Sequence, residues 1–203
     1  MIPKINYQIH EILTDLFLPP FKKKKDFDKE SKKFIPHFKK IEKEVLTSIE
    51  KFSGFRWSKR TIPVYIIPQN KSITSLTKSN LNKGFPGVVQ KVYENIERCT
   101  HIFIHELTHV NQFQSDFYSK KNLFVFNKRG VKNTRKIELC SDVVCVQVIR
   151  DLFGNKSIYE KDYWIFQNKI RTSSPGIEKE IPIYLKKWDL NEKTLREYIL
   201  KSA

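Results

Sequence analysis

The densest chemistry in the chain lies between Thr100 and Gln112, T-H-I-F-I-H-E-L-T-H-V-N-Q, where His105, Glu106 and His109 spell H-E-x-x-H. On a helix the two histidines fall four apart on one face, so both imidazoles can reach one tetrahedral zinc ion at about 2.0 to 2.1 Å and leave room for a third protein ligand and a water. Glu106 sits about 100° further round, beside the metal rather than on it, where it can take a proton from that water. The plain alternative is two ordinary histidines on a helix with a solvated glutamate between them.

A third ligand has to come from elsewhere. No histidine follows His109 in the chain, which excludes the H-E-x-x-H-x-x-G-x-x-H arrangement. Glu138 in Thr134-Arg-Lys-Ile-Glu-Leu-Cys-Ser-Asp142 is the best placed acid, and Asp142 follows it four residues later on the same helical face. One carboxylate can go to the metal and the other to the free ring nitrogen of a ligand histidine, which would fix its tautomer. Two surface acids would give the same spacing. His101 stands one turn before His105, but His101 and His109 are about 12 Å apart along the axis, so three histidines cannot share one ion. A rival His101/His105 pair would take Glu106 out from between the ligands. His101 is therefore read as a structural histidine or one that supports a ligand.

The elements that must hold these groups are legible in the periodicity. Ile96, Cys99, Phe103, Leu107, Val110 and Phe113 recur at three and four, and Asn95 is a plausible N-cap. Ile137, Val144, Val148, Leu152 and Phe153 make a second helix, capped by Thr134 and stopped by Gly154. Ile41 to Phe52 reads as a helix closed by Gly54, and Trp57 to Gln69 as a strand. Ser72 to Tyr93 reads as loops around one or two short strands, with Val88 to Tyr93 at the sheet edge, where an extended peptide could add as a further strand.

His105-Glu-Leu-Thr-His109 followed by Glu138-x-x-x-Asp142 resembles the gluzincin group of zinc metallopeptidases, and the length resembles the small single-domain members called minigluzincins. The resemblance covers about Lys39 to Gly154 in architecture. It implies that His105, His109 and Glu138 bind Zn2+, that Glu106 is the general base and acid, and that Asp142 supports a ligand. Larger members supply a downstream histidine and a tyrosine to the transition state, and this sequence has no such histidine. Tyr118, Tyr159, Tyr163 or an arginine would have to serve instead.

The expected fold is α+β, a zincin-like catalytic domain with a small sheet, a backing helix, the H-E-x-x-H helix and the glutamate helix. Three parts are expected: residues 1–40, an amphipathic N-terminal helix ended by Pro19-Pro20 and then a basic connection, an exposed linker or a solvated helix; 41–154, the catalytic domain; and 155–203, a helical extension docked on it. In the tail, Ile158 to Ile170 and Asn191 to Lys201 read as helices around a break at Ser173 to Gly176, and Leu123 to Phe126 is a short apolar segment. Whether residues 1–40 inhibit the site is left open.

The chain of 203 residues carries a formal charge of +16, mostly as dispersed lysine. A solvated lysine-rich surface accounts for this, and so does attraction to nucleic acid, anionic lipid or acidic substrates; phenylalanines interleaved with lysine between Phe21 and Phe38 keep nucleic acid open. Three cysteines without framework spacing, no secretory signal and no run of about 20 apolar residues point to a reduced, cytoplasmic setting. The function these observations favour is a zinc-dependent peptidase acting on peptide or protein substrates. The alternatives are a basic nucleic-acid-associated zinc protein and a zincin-fold binding module in which Glu106 is idle.

Overall fold

The computed structural model describes residues 1–9, 24–68, 76–78, 87–93, 95–114, 131–169 and 176–191. In chain order they form β1 (Lys4–Ile9), α1 (Lys24–Ser53), β2 (Thr61–Pro68), β3 (Leu76–Lys78), β4 (Gly87–Val92), α2 (Ile96–Phe113), α3 (Val131–Phe153), α4 (Ile158–Lys169) and α5 (Ile177–Asn191). The fold is α+β and mostly helical. Its sheet has the order β1-β2-β4-β3, with β1, β2 and β4 parallel and β3 antiparallel to β4.

Alternation puts Ile62, Val64 and Ile66 of β2, with Val88 and Val92 of β4, on one face of the sheet, and the helices cover that face. α1 lies against it because Phe34, Phe38, Val45 and Ile49 repeat at helical spacing, and all four are buried. α2 contributes Cys99, Phe103, Leu107 and Val110 to the same core, with the Phe103 ring 4.4 Å from that of Phe38. α3 is buried all round from Ser141 to Ile149, as the valine-rich run Val143, Val144, Val146, Val148 requires of a central helix. It packs against α1, α2, α4 and α5.

Several expectations need correction. Residues 4–9 are a strand, not part of a helix: Ile5, Tyr7 and Ile9 fit a period of two as well as the helical one, and pairing with β2 from Lys4↔Thr61 to Ile9↔Ile66 decides the matter. The rest of the expected N-terminal helix lies outside the described residues. From Lys24 on the basic connection is helical, as one of its two readings had it, but it is the first half of α1 with Phe34 and Phe38 buried, so the boundary after Lys40 falls inside a helix. Pro36 and the lysines disguise it. A proline in a helix costs about 3 kcal/mol, which burial of Phe34 and Phe38, at about 1.5 to 3 kcal/mol each, offsets.

Val88 to Tyr93 is not an edge, because β4 lies between β2 and β3. α3 starts at Val131, so Thr134 lies within the helix rather than capping it. α5 was not expected, and Gly176 precedes it with φ of 86°. The segment Leu123 to Phe126, most of the Ser173 to Gly176 break and the Asn191 to Lys201 helix beyond its first residue lie outside the described residues. No helix of the described residues is long and apolar enough to cross a membrane.

Candidate metal centre

α2 begins where Asn95, in extended conformation, accepts the Arg98 N–H on its side-chain oxygen at 2.9 Å. Its other end is tied to α1: the Asn111 Nδ2 donates to the Phe55 carbonyl at 2.9 Å, and the Ser53 hydroxyl donates to Asn111 Oδ1 at 2.6 Å. Both bonds bracket Gly54, whose φ of 73° lets the chain leave α1. The helix is thereby fixed at both ends. Between them His105 and His109 stand one turn apart with ring centroids 4.6 Å from each other.

α3 presents Glu138, Ser141 and Asp142 to these rings, three positions on one helical face. His105 Nε2, His109 Nε2 and a Glu138 oxygen all lie within 4.8 Å of one another. The individual separations are 3.0 Å between the two Nε2 atoms, 3.4 Å from His105 Nε2 to Glu138 Oε2 and 3.5 Å from His109 Nε2 to Glu138 Oε1. Ligand atoms at about 2.0 to 2.1 Å from a tetrahedral ion stand about 3.3 Å apart, so the triangle has the size of one tetrahedral face.

The far side of each ring is engaged by a different group. His105 Nδ1 lies 3.0 Å from Oδ1 of the fully buried Asp142. His109 Nδ1 lies 2.9 Å from the Ser141 hydroxyl, which donates its own proton to Gln112 Oε1 at 3.2 Å and so accepts from the ring. Both imidazoles therefore carry Nδ1–H and turn Nε2, the atom that a proton or a metal ion can occupy, towards Glu138. Electrostatics favour a cation at that position on His105. Burial opposes charge on His105, but Asp142 and Glu138 outweigh it and push its pKa up to about 10. Burial also opposes charge on Glu138, and the two imidazoles outweigh it and hold the carboxyl far below the usual carboxylate range. Both shifts favour positive charge among the three donors, and the donor set fits zinc.

Glu106, next to His105, is 8% exposed. Its charge contributes to raising the phenol of Tyr93, which burial and neighbouring Cys99 and Glu106 push up to about 12. His101 takes no part in the triangle. It is buried, and its Nε2 lies 2.9 Å from Asp162 Oδ2 on α4, while Asp162 Oδ1 accepts from Arg98 at 3.0 Å and Asn95 at 3.2 Å. Burial lowers the His101 pKa against the pull of Asp162, so the ring is neutral and donates to the carboxylate. The rival His101/His105 pair is not formed.

Of the tyrosines considered as donors, Tyr163 is 1% exposed and lies edge-on to His101, and Tyr159 stacks on Phe153 and faces His37. Tyr118 lies outside the described residues. Ser141, Gln112, Asp162 and Gln167, whose Nε2 donates to Asp142 Oδ1 at 3.0 Å, were not anticipated from sequence. Ser141 is three residues from Glu138 and Gln112 three from His109, a spacing that would have flagged them. For Asp162 and Gln167, on a third helix, the sequence holds no such signal. Compared with protein-family models, curated proteins and solved structures, the chain has no match.

Proposed function

We propose that the protein is a zinc-dependent peptidase with a zincin-like catalytic domain of the gluzincin type, in which Glu106 is the general base and acid. The observation that carries the reading is the donor triangle of 3.0, 3.4 and 3.5 Å, standing beside a buried glutamate in H-E-x-x-H. His105, His109 and Glu138 would hold the ion. When bound, zinc supplies Lewis acidity, lowering the pKa of a water and polarising a peptide carbonyl.

The remaining work falls to the chain. Asp142 and Ser141 engage Nδ1 of each ring, so that Nε2 is the nitrogen aimed at the ion. The Glu106 carboxylate takes a proton from the attacking water and returns it to the leaving amine, a transfer that contributes about 10²- to 10⁴-fold when the group is well placed. Burial of Glu106 limits competing water around that proton.

Glu106→Gln keeps the shape and removes the base. The zinc-loaded variant is expected to retain its metal and lose at least about a hundredfold in hydrolysis of a quenched-fluorescent peptide mixture. Undiminished hydrolysis by that variant, or joint loss of metal and activity, would give Glu106 a different role.

A further inference from the structure

α4 lies outside both motif helices, yet two of its side chains end at them. Asp162 binds His101, Arg98 and Asn95 of the α2 region, and five residues on, Gln167 donates to Asp142. We propose that Gln167 is a positioning residue that orients the ligand His105 through Asp142; the inference rests on the zinc reading above.

The two bonds converge on one atom. Asp142 Oδ1 lies 3.0 Å from His105 Nδ1 and 3.0 Å from Gln167 Nε2, and an oxygen with two lone pairs is filled by two such donors. Asp142 is fully buried and Gln167 only 5% exposed. The amide therefore fixes where Oδ1 stands, and Oδ1 fixes the plane of the imidazole. The choice of an amide matters. A lysine or arginine at this position would pin the carboxylate equally well but neutralise the charge that strengthens His105 as a ligand. A glutamine donates a proton and leaves that charge in place. The Asp162 anchor holds α4 against α2, so the amide is presented from a fixed helix rather than a loop.

The test is zinc affinity, read by competition with a chromophoric chelator, for the full chain, Gln167→Met, Asp142→Ala and the double variant. Asn168→Ala, an exposed neighbour on α4, is the control. Gln167→Met is expected to weaken zinc about 10- to 100-fold while the metal-free protein still melts cooperatively, and Asn168→Ala to bind as the parent does. In the Asp142→Ala background the same Gln167→Met change should alter affinity by less than about twofold, because the residue it acts through is gone. Affinity equal to the parent's in Gln167→Met, or the same loss in both backgrounds, overturns the proposal. If Asp142→Ala does not fold, Gln167→Met set against Asn168→Ala still decides. A parent that binds no zinc overturns the metal reading and this inference together, whereas a parent that binds zinc but cleaves no peptide leaves the inference to be judged on affinity.

Discussion

Asp142 and Ser141 sit one residue apart on α3 and serve two histidines with different chemistry. The carboxylate places a negative charge beside His105, whereas the hydroxyl at His109 orients the ring without adding charge. Glu138 completes the triangle from the same helical face, and it is the sole carboxylate among the three donors. Glu138→Ala is therefore expected to remove most of the metal found by elemental analysis of protein purified without chelators, against about one zinc per chain in the parent. Equal zinc content in the two would move the third ligand elsewhere. The residues with a fixed spacing to the H-E-x-x-H motif, or to one another, were legible in the sequence: His105, His109, Glu138 and Asp142 all meet. Gln167 and Asp162 were not, because their distance from the motif is set by how α4 packs and not by any periodicity along the chain.

The helices were readable where capping chemistry marks them. Asn95 starts α2 by accepting a backbone N–H on its side chain, and Gly154 ends α3 by taking a positive φ. Gly154 offers a clean test, since its φ is +84° and a Cβ there would meet nothing within 4 Å. Gly154→Ala should cost roughly 1 to 2 kcal/mol through the backbone alone, with Asn recovering part of it and zinc affinity unchanged. A denaturation midpoint equal to the parent's would show that this turn tolerates a side chain. Where two periods compete, the sequence misleads: β1 reads as a helix until β2 is there to pair with it, and the first half of α1 reads as an exposed linker or a solvated helix until Phe34 and Phe38 are seen to face the core. Long-range packing chose between readings that local pattern left equal.

Across the whole molecule the helices are joined by carboxylates that work only when ionised. Asp151 of α3 binds Ser48 and Lys51 of α1, Glu160 of α4 binds the Lys156 N–H and Arg150 of α3, and Asp162 of α4 binds His101 and Arg98 of α2. For each, burial opposes the charge but these partners outweigh it and hold the pKa below the ordinary 3.8 or 4.5. A lowered folded value means that the stability they add is complete above the unfolded value and is lost as pH falls through the folded one. The melting temperature should therefore hold down to about pH 5 and fall below about 4.5, and a flat profile to pH 3 would remove these links from the balance. The same connectivity decides whether residues 1–40 can be an inhibitory segment. They include β1, an edge strand of the sheet, and Phe34 and Phe38, whose rings lie 5.5 and 4.4 Å from that of Phe103 on the H-E-x-x-H helix. Truncating one buried phenylalanine to alanine costs about 3 to 5 kcal/mol, and whole domains are stable by about 5 to 15 kcal/mol. Deleting both rings costs about 6 to 10 kcal/mol before the strand is counted, which is comparable to the stability of a whole domain. A chain starting at Ile41 should show no cooperative melt and no hydrolysis, and Phe38→Ala alone should lower stability by about 3 to 5 kcal/mol in denaturant titration. A truncated chain that folds and cleaves peptide faster than the parent would mean that these residues cover the site rather than build the core beneath it.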